Sequence, residues 1–520
     1  MKRTILTILC ICCTGVFLWG QSYKFVPPGN PGVLNDAIFG DTLANGQRAD
    51  SSRIYILKRG VPYLLSSEIQ FGDFHLQIIS ESPDTSEFQA RPLIIYNVDQ
   101  GGSTLDQLFR IDGGGGTLTL KGLHISAQDI LGNYVLRPFR INSDNVRVFI
   151  DDCVVEDVGQ AGFRVQGDNS KIYVKNSIFN RMGQPNNPDN GRFIDNRGVP
   201  IDTIWVEQSV IYGVTSRVYR HSGSGAINYL HVDQNTFWGS GQHGFTLVNV
   251  GAMTFTNNLV FNGGFLGQST SGIPEYVLDL DTMGTGPSNY TVSHNNFFIE
   301  PDLLAAFPAG TNVRGDTIIP ITNYSPAAMA AMDSAGTAGT ALSQDIAFID
   351  EPPLPLQFLT AYHTDTSTTG LYPTANPWDF SDLTADANYS ALGTGNITRY
   401  TVFHDFHYRN YEPSATAGTN GQPLGAYTTV VTGVEDLFSR QQIKLYPNPA
   451  VENIFLYEIE KSDLRRVVIT NLMGQRVREI AVSQRIPFME IYVGDLSNGV
   501  YVLSLEEKSG KISSRKFVKQ

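Results

Sequence analysis

The sequence has almost no cysteine beyond its first residues. Three of the four cysteines lie within residues 1–20, and Cys153 is the only one in the rest of the 520-residue chain. A single thiol cannot form an intrachain disulfide, so the fold has to be stabilised without covalent links. Cys153 follows Asp152 at a repeated turn position where other repeats have Ser or Asn, which favours a packed thiol over a nucleophile.

Charged residues are also scarce, at 17% of the chain, whereas glycine accounts for 50 residues. This composition is typical of a turn-rich all-β protein. Of the net charge of −13, residues 1–20 contribute +2 and residues 440–520 contribute +4, so residues 21–439 carry −19. Such an acidic body argues against nucleic acid as a partner.

The N-terminal apolar run is too short for a membrane anchor. Residues 1–20, MKRTILTILCICCTGVFLWG, begin with basic residues, continue with an apolar run and end in a small residue before Gln21. This pattern predicts a signal peptide that is removed on export. Leu9 precedes Cys10 where a lipidated cysteine needs a small residue, which argues against a lipoprotein.

The centre of the chain lacks a helical repeat, and one short pattern recurs there instead. Each repeat alternates apolar and polar residues up to a position that we call the landmark, followed by a small residue and a second apolar stretch. The landmarks are Gly122, Asp152, Asn176, Gln208, Gln234, Asn257 and His294. Period-two alternation in units of 23 to 37 residues predicts stacked coils of short strands. We therefore expect a right-handed parallel β-helix with alternate side chains in a narrow core.

A second strand precedes each landmark strand and is expected to place one aromatic residue in the core. These residues are Phe139, Phe163, Phe193, Tyr219 and Phe245. Residues 32–44 have helical apolar spacing and are expected to cap the N-terminal opening. The Asn and Gln landmarks are expected to form a ladder of hydrogen-bonded amides along one corner.

The chain divides into four predicted segments. They are a signal peptide (1–20), a β-helix domain (21–430), a linker (431–443) and a small C-terminal β-sandwich (444–520). Within the β-helix domain, residues 93–300 form regular coils, whereas residues 301–430 lose the repeat and are expected to be irregular.

The tail contains KLYPNPA (444–450), VVITNLMGQRV (467–477) and IYVGDLSNGVYVLSLEEKSGKISSRKFVK (491–519). Alternating apolar runs separated by MGQ and SNG turns predict the β-sandwich. These blocks, in this order, closely resemble the C-terminal sorting domain of the type IX secretion system of Bacteroidetes. The resemblance implies export by the type IX machinery through residues 444–520, removal of the tail, and a secreted or outer-surface location.

The coil pattern and the ending ATAGTNGQPLGA (415–426) resemble the pectate-lyase-like β-helix superfamily over roughly residues 30–430. That superfamily contains lyases, hydrolases, esterases and non-catalytic binders, so the fold does not decide the activity. No block matches a calcium-binding or catalytic signature of pectate lyases, so no catalytic residue is carried over. The resemblance alone raises Ca²⁺ as a cofactor, and the sequence assigns no metal ligand.

Aligning the coils produces an outward column that we call the aromatic stripe: Phe149, Tyr173, Trp205 and His231, flanked by Thr119, Thr254 and Thr291. Adjacent coils lie about 4.8 Å apart, so the stripe is about 15 Å long. Aromatic rings suit the apolar faces of sugars, and a saccharide chain would lie along the stripe. The alternatives are that aromatic residues simply favour exposed strands or that a loop such as residues 181–191 covers them.

A neighbouring outward column alternates in charge. It contains Lys121, Asp151, Lys175, Glu207, Asp233, Thr256 and Ser293. Attraction between adjacent coils favours a structural charge ladder. Glu207 and Asp233 would otherwise bind a sugar or act on it as acid or base.

The residues that follow the aromatic of the second strand include several arginines. They are Arg140, Arg164, Ile194, Arg220 and Thr246. Neighbouring arginines repel unless an anion lies between them, so the cluster suits a uronate carboxylate, which arginine binds in bidentate fashion. Pairing with carboxylates from loops is the alternative, and the sequence favours it.

The sequence therefore predicts a secreted or surface monomer that engages an extracellular polysaccharide. As an enzyme, it would be a lyase that cuts an anionic glycan by β-elimination. Arg140, Arg164 or Arg220 would neutralise the uronate carboxylate, or Lys175 would take the C5 proton with a strongly depressed pKa. The alternative is an adhesin-like protein that uses the same stripe without a base.

Overall fold

The computed structural model describes residues 22–45, 47–82, 91–98, 102–183, 190–281, 289–364, 404–426, 444–446, 449–457, 464–471, 475–482, 488–507 and 512–520. The predicted signal peptide (1–20) and linker (431–443) lie outside these residues. Two compact units are present, one comprising residues 1–346, 352–403 and 411–430, and the other residues 347–351, 404–410 and 431–520.

Three long parallel sheets form the first unit. The first sheet contains, in spatial order, Tyr23–Val26, Ile54–Leu57, His75–Ser80, Thr117–Lys121, Arg147–Asp151, Ser170–Lys175, Ile201–Glu207, Ile227–Asp233, Val250–Thr256 and Tyr290–Ser293. The second contains Ile69–Phe71, Gln107–Ile111, Arg137–Ile141, Ala161–Val165, Arg192–Asn196, Arg217–His221, Phe245–Leu247, Tyr276–Leu280 and Thr322–Tyr324. The third contains Pro62–Leu65, Leu93–Tyr96, His124–Asp129, Val154–Val158, Ile178–Met182, Val210–Val214, Thr236–Ser240, Leu259–Gly263 and Asn296–Phe298.

Each coil supplies one strand to every sheet, and each strand pairs in parallel with the equivalent strand of the next coil. This is the right-handed parallel β-helix that the period-two repeats predicted. Inward side chains stack along the axis, as in the second sheet, where the ring centroids of Phe109, Phe139 and Phe163 are 5.8 and 5.0 Å apart in succession.

The landmarks make the turn from the first sheet to the third. All seven have positive φ, between 49° and 69°, a conformation that Gly, Asn and Asp adopt at the lowest cost. The hydrogen-bonded ladder was predicted on the landmarks themselves. One such pair is present, with Gln208 Nε2 donating to Gln234 Oε1 over 3.4 Å, but the continuous ladder is on other residues. The ladder lies one residue later, on Cys153, Ser177, Ser209, Asn235, Asn258 and Asn295.

Helices lie at both ends of the coil stack. The N-terminal helix covers Val33–Phe39, a shorter span than the 13 residues with helical spacing, and buries Leu34 and Ile38 in the core. After the last regular coil, the helix Pro326–Ala335 begins at Ser325, whose side chain accepts a hydrogen bond from Ala328 N. Ala328, Ala331 and Met332 of this helix join the core.

Several short elements complete the first unit. The helices are Pro301–Ala305 and Leu356–Thr364, with 3₁₀ turns at Ala338–Thr340, Pro413–Ala415 and Thr419–Gly421. The strands Gln268–Ser269 and Ile318–Ile319 pair in antiparallel fashion. Within the described ranges, no helix is both long and apolar enough to span a membrane.

The paired strands of the second unit are antiparallel, and an isolated parallel bridge joins Ala450 and Lys519. Phe348–Asp350 pairs with Asp405–Tyr408. In the tail, a three-stranded sheet contains Lys444–Tyr446, Asn453–Tyr457 and Phe488–Tyr492, and a four-stranded sheet contains Arg476–Ala481, Leu464–Asn471, Gly499–Glu507 and Ile512–Lys519. Residues of both sheets share one apolar core, which matches the predicted β-sandwich.

Candidate functional site

The aromatic stripe runs along the outer face of the first sheet. Backbone pairing aligns Thr119, Phe149, Tyr173, Trp205, His231, Thr254 and Thr291 in the predicted order. Ile204 and Val206 are buried in the core on either side of half-buried Trp205, so the indole faces outward. Residues 184–189, most of the loop that was expected to cover the stripe, lie outside the described residues.

The rings of the stripe stack in two pairs. Phe149 and Tyr173 lie with centroids 4.9 Å apart and planes 5° from parallel, and Trp205 and His231 with centroids 3.7 Å apart and planes 22° from parallel. Each ring therefore covers one face of its partner. A sugar that stacks on an aromatic residue needs an open face, and in each pair only the outer faces and the ring edges remain for it.

The charge column beside the stripe is neutralised internally. Lys121 Nζ lies 2.6 Å from Asp151 Oδ2, and Lys175 Nζ lies 2.7 Å from Glu207 Oε2. Asp233 accepts hydrogen bonds from Thr256 Oγ1 and Asn257 Nδ2 over 2.6 and 2.8 Å. These contacts correspond to the structural charge ladder that the alternating signs favoured.

Glu207 connects the two columns. It accepts a hydrogen bond from Trp205 Nε1 over 2.7 Å, and Lys175 Nζ also lies 5.4 Å from the centre of the Trp205 ring. Although burial raises it, the hydrogen bonds from Lys175 and Trp205 lower the pKa of Glu207 overall. Glu207 is therefore an anion, and it holds the Lys175 side chain in an ion pair instead of leaving it free to contact a substrate.

The second sheet carries a column of arginines on its outer face, which we call the arginine column. Pairing aligns Gln70, Arg110, Arg140, Arg164, Asp195, Arg220, Thr246 and Asp279. Asp195, and not Ile194, occupies the fifth position, so the sequence alignment of that coil was wrong by one residue. Ile194 pairs with Phe163 and is buried, whereas Phe193 packs edge-on against Phe163 and Phe179.

Most arginines of this face have carboxylate partners. Arg110 Nε lies 2.8 Å from Asp112 Oδ2, and Asp195 Oδ1 lies 3.5 Å from Arg220 Nη1. Asp195 Oδ2 also lies 3.6 Å from Arg197 Nη1 and 3.8 Å from Arg192 Nη1. Arg110 and Arg220, on either side of the middle of the column, are therefore paired with nearby carboxylates, as the alternative interpretation expected.

Arg140 and Arg164 in the middle differ from the rest. Within the part of the chain that the structure describes, neither has a carboxylate within 4.0 Å; Arg140 Nε donates to the amide oxygen of Gln166 over 3.1 Å. Arg164 Nε is buried and meets no hydrogen-bond acceptor in that same part. Burial, and then the charge of Arg197, lower the pKa of Arg164 from its ordinary value, and burial and Arg164 lower that of Arg137 to about 10.

The structure does not bring the predicted catalytic residues together. Arg140, Arg164 and Arg220 lie on the second sheet, and Lys175 lies on the first. Arg110 and Asp195 belong to the arginine column but were missed in the sequence. Arg110 could have been found, because QLFRI (107–111) has the same form as RPFRI (137–141).

The structure does not favour a resident calcium ion. Across the described ranges, no group of three or more His, Cys, Asp or Glu side chains is arranged to hold a metal ion. Because Ca²⁺ takes six to eight oxygen ligands, usually with several carboxylates, these residues do not fit the ion that the superfamily resemblance raised.

Comparison with known proteins gives two similarities. Residues 444–520 match the family model of the secretion system C-terminal sorting domain. The chain is also similar to a solved structure, the crystal structure of pectate lyase Pel9A, with 13% sequence identity, a TM-score of 0.32, and coverage of 78% of this chain and 97% of that chain. No curated protein sequence matches the chain.

The molecule is thus a parallel β-helix protein with a C-terminal secretion sorting domain. Its tail indicates a protein that is secreted or displayed at the cell surface, and implies the type IX secretion machinery of Bacteroidetes.

Proposed function

We propose that this protein binds an anionic polysaccharide outside the cell and that Arg140 and Arg164 contact its carboxylate groups. The proposal rests on which cationic side chains have a carboxylate partner and which do not. Lys121, Lys175, Arg110 and Arg220 each have a carboxylate within 4.0 Å, whereas Arg140 and Arg164 have none among the residues that the structure describes. Two adjacent like charges are unfavourable until an anion lies between them.

The surroundings support a carboxylate ligand. Residues 21–439 carry a net charge of −19. Within this acidic body, Arg140 and Arg164 lie side by side on adjacent strands without a carboxylate between them in the described part of the chain, so an anionic group would be attracted there. A planar guanidinium matches a carboxylate with two parallel hydrogen bonds, and adjacent coils repeat about every 4.8 Å along the axis. A polymer of uronates that lies along the second sheet would meet Arg140 and Arg164 with successive groups.

Binding without cleavage is the version that the contacts support. Lyase activity would need a base beside the arginines, and Lys175 is on another sheet in an ion pair with Glu207. Incubation with pectate, alginate and glycosaminoglycans distinguishes the two versions, because β-elimination produces unsaturated uronate that absorbs in the ultraviolet. We expect binding without this absorbance; its appearance would establish the lyase instead.

The site is tested with two double variants that remove equal charge. Arg140→Gln with Arg164→Gln should weaken binding to polygalacturonate about tenfold or more, since hydrogen bonds to charged groups contribute about 1.5–3 kcal/mol. The control, Lys121→Gln with Lys175→Gln, removes two cations that are already paired and should leave binding within about twofold. Equal losses would reveal a general effect of charge, and unchanged binding by the arginine variant would contradict the proposal.

A further inference from the structure

The outer face of the third sheet carries a buried charged cluster that belongs to neither the aromatic stripe nor the arginine column. Glu156 is fully buried, with His124 Nε2 2.7 Å from its Oε1 and Arg181 Nη2 2.9 Å from its Oε2. Arg181 Nε also donates to Asp157 Oδ1 over 2.6 Å. Burying charges is costly even when they are paired, so a face that only had to be covered would be expected to carry apolar side chains.

The backbone at this cluster is in an unfavourable conformation. Asp157 and Arg181 occupy the same position on adjacent coils, and both have positive φ, 59° and 50°. The next two coils have Gly213 and Gly239 at this position, with φ of 67° and 70°. Asp adopts this conformation at low cost, whereas for Arg181 it is unfavourable by about 1–2 kcal/mol, and such strain is concentrated at functional sites.

Asn180 is the observation that points to a ligand. It lies between Glu156 and Tyr212 in the pairing of the third sheet and is fully buried. Neither its Nδ2 nor its Oδ1 has a hydrogen-bond partner in the described ranges. An amide that is buried without partners is unfavourable by several kcal/mol, so a group that both donates and accepts hydrogen bonds would stabilise it strongly.

The neighbouring side chains define the chemistry of that group. Glu156, Asn180, Tyr212 and Trp238 follow one another on successive coils, so the column changes from polar to aromatic. Two carboxylates face a single arginine, which disfavours an anion. The side chains of His124 and Arg181 keep 10% and 12% of their surface exposed, so the cluster has an edge at the molecular surface.

We propose that His124, Glu156, Asn180 and Arg181 form a binding site for a neutral saccharide unit. Sugar hydroxyls donate and accept at once, as the Asn180 amide requires, and they donate to carboxylates such as Glu156. The ring would extend toward Tyr212, in keeping with the preference of sugar C–H faces for aromatic rings. This site is separate from the arginine column and takes a ligand of different charge, so either can fail without the other.

The test uses the full chain and methyl glycosides of glucose, galactose, mannose, xylose and N-acetylglucosamine as probes. We expect at least one glycoside to raise the Tm, because a ligand that binds only the folded state stabilises it. Asn180→Leu should abolish that rise. Without sugar, the Tm of this variant should equal or exceed the wild-type value, because the substitution removes an amide that lacks partners.

Asn258→Leu is the matched control. Asn258 is equally buried, but its Nδ2 donates to Val232 O and Asn295 Oδ1 and its Oδ1 accepts from Asn235 N. This substitution should lower the Tm and leave the response to the sugar intact. The proposal is overturned if no glycoside shifts the wild-type Tm, or if Asn180→Leu responds to the sugar as the wild type does. A loss of Tm in Asn180→Leu equal to that in Asn258→Leu, together with no sugar response in the wild type, would also overturn it.

Discussion

The Trp205 indole lies almost flat against the imidazole of His231 on the next coil, with ring centroids 3.7 Å apart. The indole Nε1 also donates a hydrogen bond to Glu207 Oε2. Trp205 is therefore part of the packing of the outer surface, whereas Ile204 beside it fills the core.

We therefore expect alanine substitutions of Trp205 and Ile204 to lower the free energy of unfolding by different amounts. Trp205→Ala should lower the free energy of unfolding by about 1–2 kcal/mol through the lost stacking and hydrogen bond. Ile204→Ala should cost about 2–5 kcal/mol because it leaves a cavity between coils. Denaturant unfolding of both variants checks the prediction, and a larger loss for Trp205→Ala would show that the indole, not the isoleucine, supports the core.

Cys153 should be inert in the folded protein. Burial raises the pKa of its thiol to about 12, so almost no thiolate is present at neutral pH. A chromogenic disulfide reagent should therefore label it only after denaturant is added. Cys153→Ser should change the Tm little, since Ser177 and Ser209 occupy the equivalent place on the next two coils. Rapid labelling of the native protein would refute the prediction.

Substitutions of Asn176 test how much the left-handed backbone conformation of a landmark contributes to stability. Its φ is 49°, and its exposed amide donates to Asp151 Oδ1 over 2.9 Å. Asn176→Ala should cost about 1 kcal/mol, because alanine tolerates the left-handed conformation poorly, whereas Asn176→Gly should be nearly neutral. Both variants lose the hydrogen bond, so equal losses in thermal unfolding would assign the effect to that bond and not to the backbone.

Acidic pH should destabilise the first unit partly through His363. Burial lowers the pKa of this histidine from 6.5 to about 4, and its ring lies edge-on to Phe307. Between these two values the unfolded chain binds a proton that the folded chain does not, so stability falls as the pH falls from 6.5 toward 4. His363→Gln should flatten the Tm profile over this range. A profile that is unchanged in the variant would exclude His363 as a contributor.

The regular part of the fold was predictable because one period governs it. Apolar and polar residues alternate with a period of two, and this alternation determines which side chains enter the core. The landmark residues favour the left-handed turn for local steric reasons. The aromatic stripe followed directly, since its ring lies three residues before the landmark in every coil that carries it.

The arginine column could not be aligned throughout from the sequence. In RFIDN (192–196), Phe193 and Ile194 are both apolar, and both are buried. Alternation alone does not tell which of two adjacent buried residues faces the axis. Strand pairing with Phe163 selects Ile194, and this places Asp195 among the arginines.

The charged cluster of the third sheet was missed for a different reason. Glu156 and Asn180 sit at outward positions of their strands, where polar residues are ordinarily solvated. Both are fully buried in the structure, and no local sequence pattern indicates that burial. The replacement of glycine by Asp157 and Arg181 at a left-handed position was the one signal available.

The ladder beside the landmarks has a direction. The backbone N–H of Ser209 donates to the side chain of Asn235, and the N–H of Asn235 donates to that of Asn258. Each side chain thus accepts a hydrogen bond from the coil before it, while its own backbone N–H donates to a side chain of the coil after it. Loss of a side chain in the middle would leave the amide of the preceding coil without its acceptor, while the following coil keeps its own. A substitution along this corner is therefore expected to weaken the contact to the coil on its N-terminal side and to leave the contact to the coil on its C-terminal side in place.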